Sequence, residues 1–126
     1  MEMYKKISLI TDSDDAGDVI DELTDRFGDV PKVVDRLVNV SLARALAERA
    51  RISRVEAKDG RLIFTPERPR LDLWSDVFAR FRGMSFLGVG SPSVVYRLGK
   101  GEDAASAAKD ILTAYVNAMT EAEQEA

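Results

Sequence analysis

The chain has 126 residues, of which 45% are hydrophobic and 32% charged, with a net charge of −4; these values are typical of one globular domain with its own core. It contains no cysteine and no histidine, which excludes a disulfide framework, a thiolate zinc site and catalysis by a histidine base, and favours a cytoplasmic protein that is not an enzyme. No apolar run is long enough to span a bilayer and the N-terminus lacks the apolar region of a signal peptide, so no membrane association is expected.

The first half of the chain predicts three helices. Apolar residues at helical spacing indicate one helix over residues 3–10 and a second from an N-cap at Ser13 to a C-cap at Gly28. Pro31 is suited to the first turn of the third helix, which should run to about Arg51. Because this third helix is apolar on more than one side, we expect it to be the central and most buried one.

The second half predicts two hairpins and two helices. The alternating runs ISRVEA and RLIFT flank an Asp59-Gly60 turn, and SFLGVG and SVVYRL flank Ser91-Pro92. The last helix begins near Glu102. Between the hairpins, an amphipathic helix is predicted from Leu71, Trp74, Val77, Phe78 and Phe81. Of these residues we assign Trp74, Phe78 and Phe81 to the core. The fold class is therefore α+β, a single domain over residues 1–126 with helices packed on a small antiparallel sheet built from two hairpins.

Charge is unevenly distributed along the chain, with a net charge of −6 over residues 1–25, +7 over 26–100 and −5 over 101–126. In the second helix, acidic residues at spacings of three and four share the side opposite the apolar stripe: Asp14, Asp18, Asp21, Glu22 and Asp25. The helix dipole explains acids in the first turn but not the later ones, which repel one another. Only Glu22 has an obvious local partner, Arg26. This face is either simply solvated or a docking surface for a basic partner, and Phe27 beside it is either core or an exposed anchor.

Two glycine-containing segments invite a ligand-binding interpretation. In DSDDAGDVIDEL, a calcium loop beginning at Asp12 would place Ala16 and Leu23 at positions that need oxygen ligands. The glycines of GVGSPSVVYRLGKGE match neither the dinucleotide fingerprint nor a Walker motif, and are typical of turns. We therefore expect no catalytic, metal-binding or cofactor-binding residues in this domain.

The basic middle of the chain offers an alternative function, a nucleic-acid-binding module that uses residues 44–70. Its cations are Arg44, Arg49, Arg51, Arg54, Lys58, Arg61, Arg68 and Arg70. Acidic residues are interspersed among them and the sequence pI is about 4.9, so a mixed, solvated surface is the favoured interpretation.

A resemblance to a known family rests mainly on residues 3–31. Met3-Tyr4-Lys5-Lys6-Ile7, the segment ELTDRFG at residues 22–28, and Pro31 resemble the signature E-M-Y-K-K-I … E-L-x-D-R-F-G-x-x-P. That signature is typical of the C-terminal domain of bacterial transcription-repair coupling factors. Thr24 departs from it, since an apolar residue is frequent there, and the hairpin R-I-S-R-V … R-L-I-F fits the family's more variable part.

The resemblance implies that the chain is the C-terminal regulatory domain of a larger parent, an ATP-dependent DNA translocase. Such a parent displaces stalled RNA polymerase and recruits nucleotide excision repair. Its contacts with RNA polymerase and double-stranded DNA, and its ATP and magnesium, would belong to other domains. This domain would itself be non-catalytic and bind no cofactor.

The resemblance further implies an autoinhibitory contact. In this family the C-terminal domain packs on the N-terminal UvrB-like domain of the same parent and covers the surface that binds UvrA, with which it competes. The segment E-L-x-D-R-F-G of the signature contributes to that contact. The docking residues implied for this chain are Glu22, Asp25, Arg26, Phe27 and Gly28, with Asp18 and Asp21 as further members.

Overall fold

The computed structural model describes residues 2–88 and 93–125, and of Glu2 and Met3 only the backbone. In chain order its elements are α1 (Glu2–Ser8), α2 (Ser13–Phe27), α3 (Lys32–Arg49), β1 (Ile52–Lys58), β2 (Arg61–Pro66), α4 (Leu71–Arg80), β3 (Met84–Leu87), β4 (Ser93–Arg97) and α5 (Ala104–Glu125). This order confirms the predicted α+β fold with its two hairpins. The predicted turn at Ser91-Pro92 lies outside the described residues, as do Val89 and Gly90 at the end of the strand predicted as SFLGVG.

The first turn of α2 is held by carboxylates. Asp12 is the N-cap, with an extended backbone, and its Oδ1 accepts a hydrogen bond from the backbone N–H of Asp15 at 2.8 Å. Asp15 in turn accepts from the hydroxyl of Thr11 at 2.7 Å and from its backbone N–H at 3.0 Å, and these bonds lower the pKa of Asp15. The prediction that Ser13 is the N-cap is wrong, since Ser13 is already the first helical residue.

The most buried helix is α5 rather than α3. Ile111 and Leu112 of α5 are fully buried, because this helix packs against both α3 and α4. Helix α3 packs against α5, β1, α2 and α1, but its Val33 and Val40 remain 70% and 40% exposed. The expectation that α3 is the most buried helix is therefore wrong, although its predicted central position agrees with its contacts to four other elements.

The four strands form one sheet in the order β1-β2-β4-β3, with every neighbouring pair antiparallel. The turn between β1 and β2 has the positive φ angles that a type I′ turn requires, 53° at Asp59 and 74° at Gly60. Leu62 of β2 pairs with Ala57 of β1 and Tyr96 of β4, and the side chains of this row face the helices. Phe64 and Val94, which pair with each other two residues further along, are buried on the same face. The alternate residues point to the opposite face of the sheet.

The core is centred on Trp74 of α4, which is fully buried. Its ring centroid lies 4.5 Å from that of Tyr115 on α5 and 6.0 Å from that of Phe64 on β2, so one side chain joins two helices and the sheet. The prediction of a core role holds for Trp74 and partly for Phe78 and Phe81, which are half-buried. Val77 is also fully buried. Leu71, at the start of α4, is 60% exposed.

Candidate docking surface

All seven residues implied for docking lie on α2 or in the turn that ends it. We call them the α2 docking surface: Asp18, Asp21, Glu22, Asp25, Arg26, Phe27 and Gly28. The helix buries Ala16, Val19 and Leu23 against its neighbours and turns the acidic side outward. Every residue of the surface except Glu22 is exposed.

Three carboxylates of this surface have no compensating charge. Asp18, Asp21 and Asp25 follow one another at spacings of three and four, so their side chains share one side of the helix. Within residues 2–88 and 93–125 none of them forms an ion pair. Their mutual repulsion and their distance from the first turn both work against the helix, so the arrangement is a weak point of the isolated domain that a cationic partner would relieve.

Glu22 differs from its acidic neighbours because it is already paired. Its two carboxylate oxygens lie 2.6 and 2.8 Å from Nζ of Lys6 on α1, and a guanidinium nitrogen of Arg26 lies 3.4 Å from the first of them. The hydrogen bond from Lys6 is the main cause of a lowered pKa at Glu22. The pair fixes α1 against α2 and orients Arg26, which stays exposed.

Phe27 and Gly28 end the helix in a conformation that presents the aromatic ring to solvent. Phe27 is 66% exposed, so of the two alternatives given by the sequence it is an exposed side chain and not part of the core. Gly28 donates its backbone N–H to the carbonyl of Thr24 at 2.9 Å and has φ 77° and ψ −136°, a region that residues with a Cβ avoid. No atom lies within 4 Å of a Cβ built at Gly28, so glycine is needed there for the backbone and not for space.

A groove of about 820 Å³ lies between α3, β1 and the start of α5. Its floor is apolar, and on its rim Arg36 pairs with Asp103 at 3.2 Å and Arg54 with Glu56 at 2.7 Å. Across the part of the chain that is described, no cluster of three or more acidic, histidine or cysteine side chains could hold a metal ion. None of the helices described is both long and apolar enough to cross a membrane.

The basic segment 44–70 is dispersed over several elements. Arg44 and Arg49 lie on α3, and Arg70 is held by Asp72 at 3.0 Å. Lys58 and Arg61 are paired across β1 and β2, on either side of the Asp59-Gly60 turn. The eight cations that the sequence groups together therefore do not form one patch.

Comparison with known proteins is consistent with this architecture. The family model described as TRCF domain matches residues 1–72, more than half of the chain. The chain belongs to the TRCF domain family. Its fold is similar to a solved structure titled "Crystal structure of C-terminal domain of transcription-repair coupling factor", with a TM-score of 0.80 and 21% identity over 98% of this chain and 80% of that one. No curated protein sequence matches. The α2 docking surface of this TRCF domain lies inside the segment that the family model matches.

Two features of the TRCF domain were missed by sequence reasoning. The first is the Lys6–Glu22 pair, which the sequence offers no way to find because the residues are 16 apart in different helices. The second is the position of Arg97, which pairs directly with Arg61 across β2 and β4. The alternating pattern of SVVYRL predicts that Arg97 lies on a strand, but it does not indicate which strand is the neighbour.

Proposed function

We propose that this TRCF domain is a non-catalytic docking module of a larger transcription-repair coupling factor. It packs through the α2 docking surface on the N-terminal UvrB-like domain of the same parent and covers the surface that binds UvrA. The parent is an ATP-dependent DNA translocase that removes stalled RNA polymerase and brings nucleotide excision repair to the site. The observation that carries the proposal is the exposed Phe27 at the end of a helix with three uncompensated carboxylates.

The residues of the surface have separate tasks. Phe27 is the apolar anchor, since exposed aromatic side chains supply much of the energy of small interfaces. Asp25 offers a free carboxylate to a basic side chain of the UvrB-like domain, with Asp18 and Asp21 strengthening the local field. Glu22 enters the contact already bound to Lys6 and Arg26, so a partner cation must share or replace those bonds. We therefore assign the larger electrostatic share to Asp25.

An electrostatic contact of this kind can be released. The carboxylates are exposed, and at physiological ionic strength their field is screened over about 8 Å. Apart from Phe27, the surface consists of polar side chains and a glycine, which is typical of contacts between domains that move relative to one another. Release would uncover the UvrA-binding surface when the parent engages stalled RNA polymerase.

The proposal is tested by calorimetry of the isolated TRCF domain with the purified UvrB-like domain at low and at moderate salt. We expect weak binding that falls with salt, that is lost in Asp25→Arg and that is less affected by Glu22→Arg. Asp76→Arg on α4 is the matched control, an exposed acid without an ion pair among the described residues, and should bind like the wild type. Equal losses in Asp25→Arg and Asp76→Arg would contradict the assignment of the surface.

A further inference from the structure

The face of the sheet opposite the helices carries a row of cations at the end nearest the Asp59-Gly60 turn. Lys58 pairs with Arg61 across β1 and β2, and Arg61 pairs with Arg97 across β2 and β4. Residues paired directly across strands point to the same face, and the neighbouring row of Ala57, Leu62 and Tyr96 faces the helices. Lys58, Arg61 and Arg97, which we call the basic row, therefore point away from the helices and are exposed.

The chain concentrates further cations at this end. The backbone N–H of Arg97 donates to the carbonyl of Gly83 at 3.0 Å, so the backbone of Arg82, the residue before Gly83, comes close to the end of the row. Lys100 follows three residues after Arg97, and both Arg82 and Lys100 are exposed. A Cβ at Gly83 would lie 3.5 Å from the Cβ of Arg97, so the position next to Arg97 carries no side chain and leaves its guanidinium accessible.

None of these five cations forms an ion pair with any residue that the structure describes. Of the nearby acids, Glu56 is held by Arg54 at 2.7 Å, and Glu102 accepts bonds from the Tyr96 hydroxyl and the Gly99 N–H. The remaining carboxylate close to these cations is that of Asp59, in the turn between Lys58 and Arg61. Like charges placed directly opposite each other destabilise a sheet, so a bound anion would stabilise the pairing of Arg61 with Arg97.

We propose that the basic row, with Arg82 and Lys100, binds the phosphate backbone of double-stranded DNA without reading its sequence. Strands lie about 4.8 Å apart, so the row spans about 10 Å, and duplex DNA carries one charge per about 1.7 Å of its axis. Three side chains can therefore meet two or three phosphates. This function is independent of the α2 docking surface, which belongs to a helix that packs on α1 and α3 and not on the sheet.

The composition of this face selects the duplex over other anions. Proteins that bind single strands add aromatic side chains on which bases stack, but the remaining described residues of this face are Arg54, Glu56, Ile63, Thr65, Ser85, Leu87, Ser93 and Val95. Protein interfaces generally have an exposed aromatic or apolar anchor at their centre. On this face Val95 is buried and Ile63 is half-buried, and the exposed Leu87 lies on β3 four residues along the sheet from the basic row. Backbone phosphates require only the cations.

The net charge of −4 does not oppose this binding. The acids lie mainly in residues 1–25 and 101–126, whereas the middle of the chain has a net charge of +7. The contact should nevertheless be weak, in the range of about 10⁻⁴ to 10⁻⁶ M that non-specific DNA binding shows at physiological salt.

The test is fluorescence anisotropy of a labelled 20-base-pair duplex titrated with the TRCF domain from 50 to 200 mM salt. With about three phosphate contacts, the logarithm of the affinity should fall against the logarithm of the salt concentration with a slope of about −3. Arg61→Ser/Arg97→Ser should weaken binding at least about tenfold and bring the slope about 2 units closer to zero. Arg61→Lys/Arg97→Lys retains the charges and should retain the slope.

The matched control is Arg44→Ser/Arg68→Ser, which removes the same charge from two exposed arginines outside the row. It should leave affinity and slope close to those of the wild type. The proposal is overturned if this control loses as much as the double variant in the row, or if no binding is measurable at 50 mM salt. It is also overturned if single-stranded DNA of equal length binds more tightly, or if polyglutamate of equal charge competes as well as the duplex.

Discussion

Replacing Phe27 by alanine should separate docking from folding. Phe27 is 66% exposed, so only about a third of its surface contacts the domain. Complete burial of a phenylalanine contributes about 1.5–3 kcal/mol, so its contribution to the free energy of unfolding is below about 1 kcal/mol. Leu23, four residues earlier and 6% exposed, should by contrast lose about 2–5 kcal/mol on substitution by alanine.

Phe27→Ala should weaken docking much more than it weakens folding. If the UvrB-like domain covers the exposed two thirds of the Phe27 ring, Phe27→Ala removes about 1–2 kcal/mol from the interface. Since about 1.4 kcal/mol is a factor of ten in affinity, the dissociation constant should rise about 5- to 30-fold. Leu71→Ala is the matched control, because Leu71 is 60% exposed but lies on α4.

The assay pairs thermal unfolding of each variant with calorimetric titration against the UvrB-like domain. For a domain of this size about 1 kcal/mol corresponds to about 4 °C in Tm. Phe27→Ala should therefore unfold within about 4 °C of the wild type and bind more weakly, and Leu71→Ala should change neither property much. If Phe27→Ala and Leu71→Ala bound the UvrB-like domain equally well, the anchor role of Phe27 would be refuted.

Three further expectations concern the fold. Trp74→Ala should lower Tm by about 12–20 °C, because it leaves a cavity at the centre of the core that costs about 3–5 kcal/mol. Trp74→Phe should lower Tm far less, since the indole Nε1 is buried without an acceptor among the described residues. Equal losses of Tm in the two variants would contradict this expectation. Gly28→Ala should destabilise the domain by about 1–3 kcal/mol in urea unfolding because of its positive φ, and an unchanged midpoint would show that the turn relaxes. Burial raises the pKa of both Tyr96 and Tyr115 above its ordinary value near 10; the folded state thus favours the neutral phenols, and stability should be complete below pH 10 and fall as the pH rises above it. Urea unfolding between pH 9 and 11 should show that fall in the wild type and a smaller one in Tyr96→Phe/Tyr115→Phe, whereas equal slopes would contradict it.

Elements governed by local signals were predictable from the sequence. The Asp59-Gly60 turn, the Gly28 cap and the helical period around Trp74 each depend on residues a few positions apart, and each prediction agrees with the structure. The N-cap of α2 was misplaced by one residue, since Asp12 and Ser13 are both good caps and only the backbone conformation distinguishes them.

Features that depend on packing between elements were not predictable. The burial of α3 was overestimated because sequence periodicity cannot tell which apolar side meets a neighbour and which, as at Val33, meets solvent. The pairing of Arg61 with Arg97 is set by the order of strands in the sheet, which no local pattern encodes. The members of the α2 docking surface are implied by the resemblance and stay a prediction. The sequence did not show that Glu22 is bound by Lys6 or that Phe27 is exposed.

The most direct test of the central claim is UvrA binding by the full-length parent carrying Asp25→Arg, compared with wild type and with Asp76→Arg. Removing one partner of a desolvated charge pair weakens an interface by about 2–5 kcal/mol. Masking by the TRCF domain therefore predicts that Asp25→Arg binds UvrA more tightly than the wild-type parent, while Asp76→Arg does not. Unchanged UvrA affinity in the Asp25→Arg parent, with docking of the isolated Asp25→Arg domain abolished, would contradict the claim that this surface masks the UvrA site.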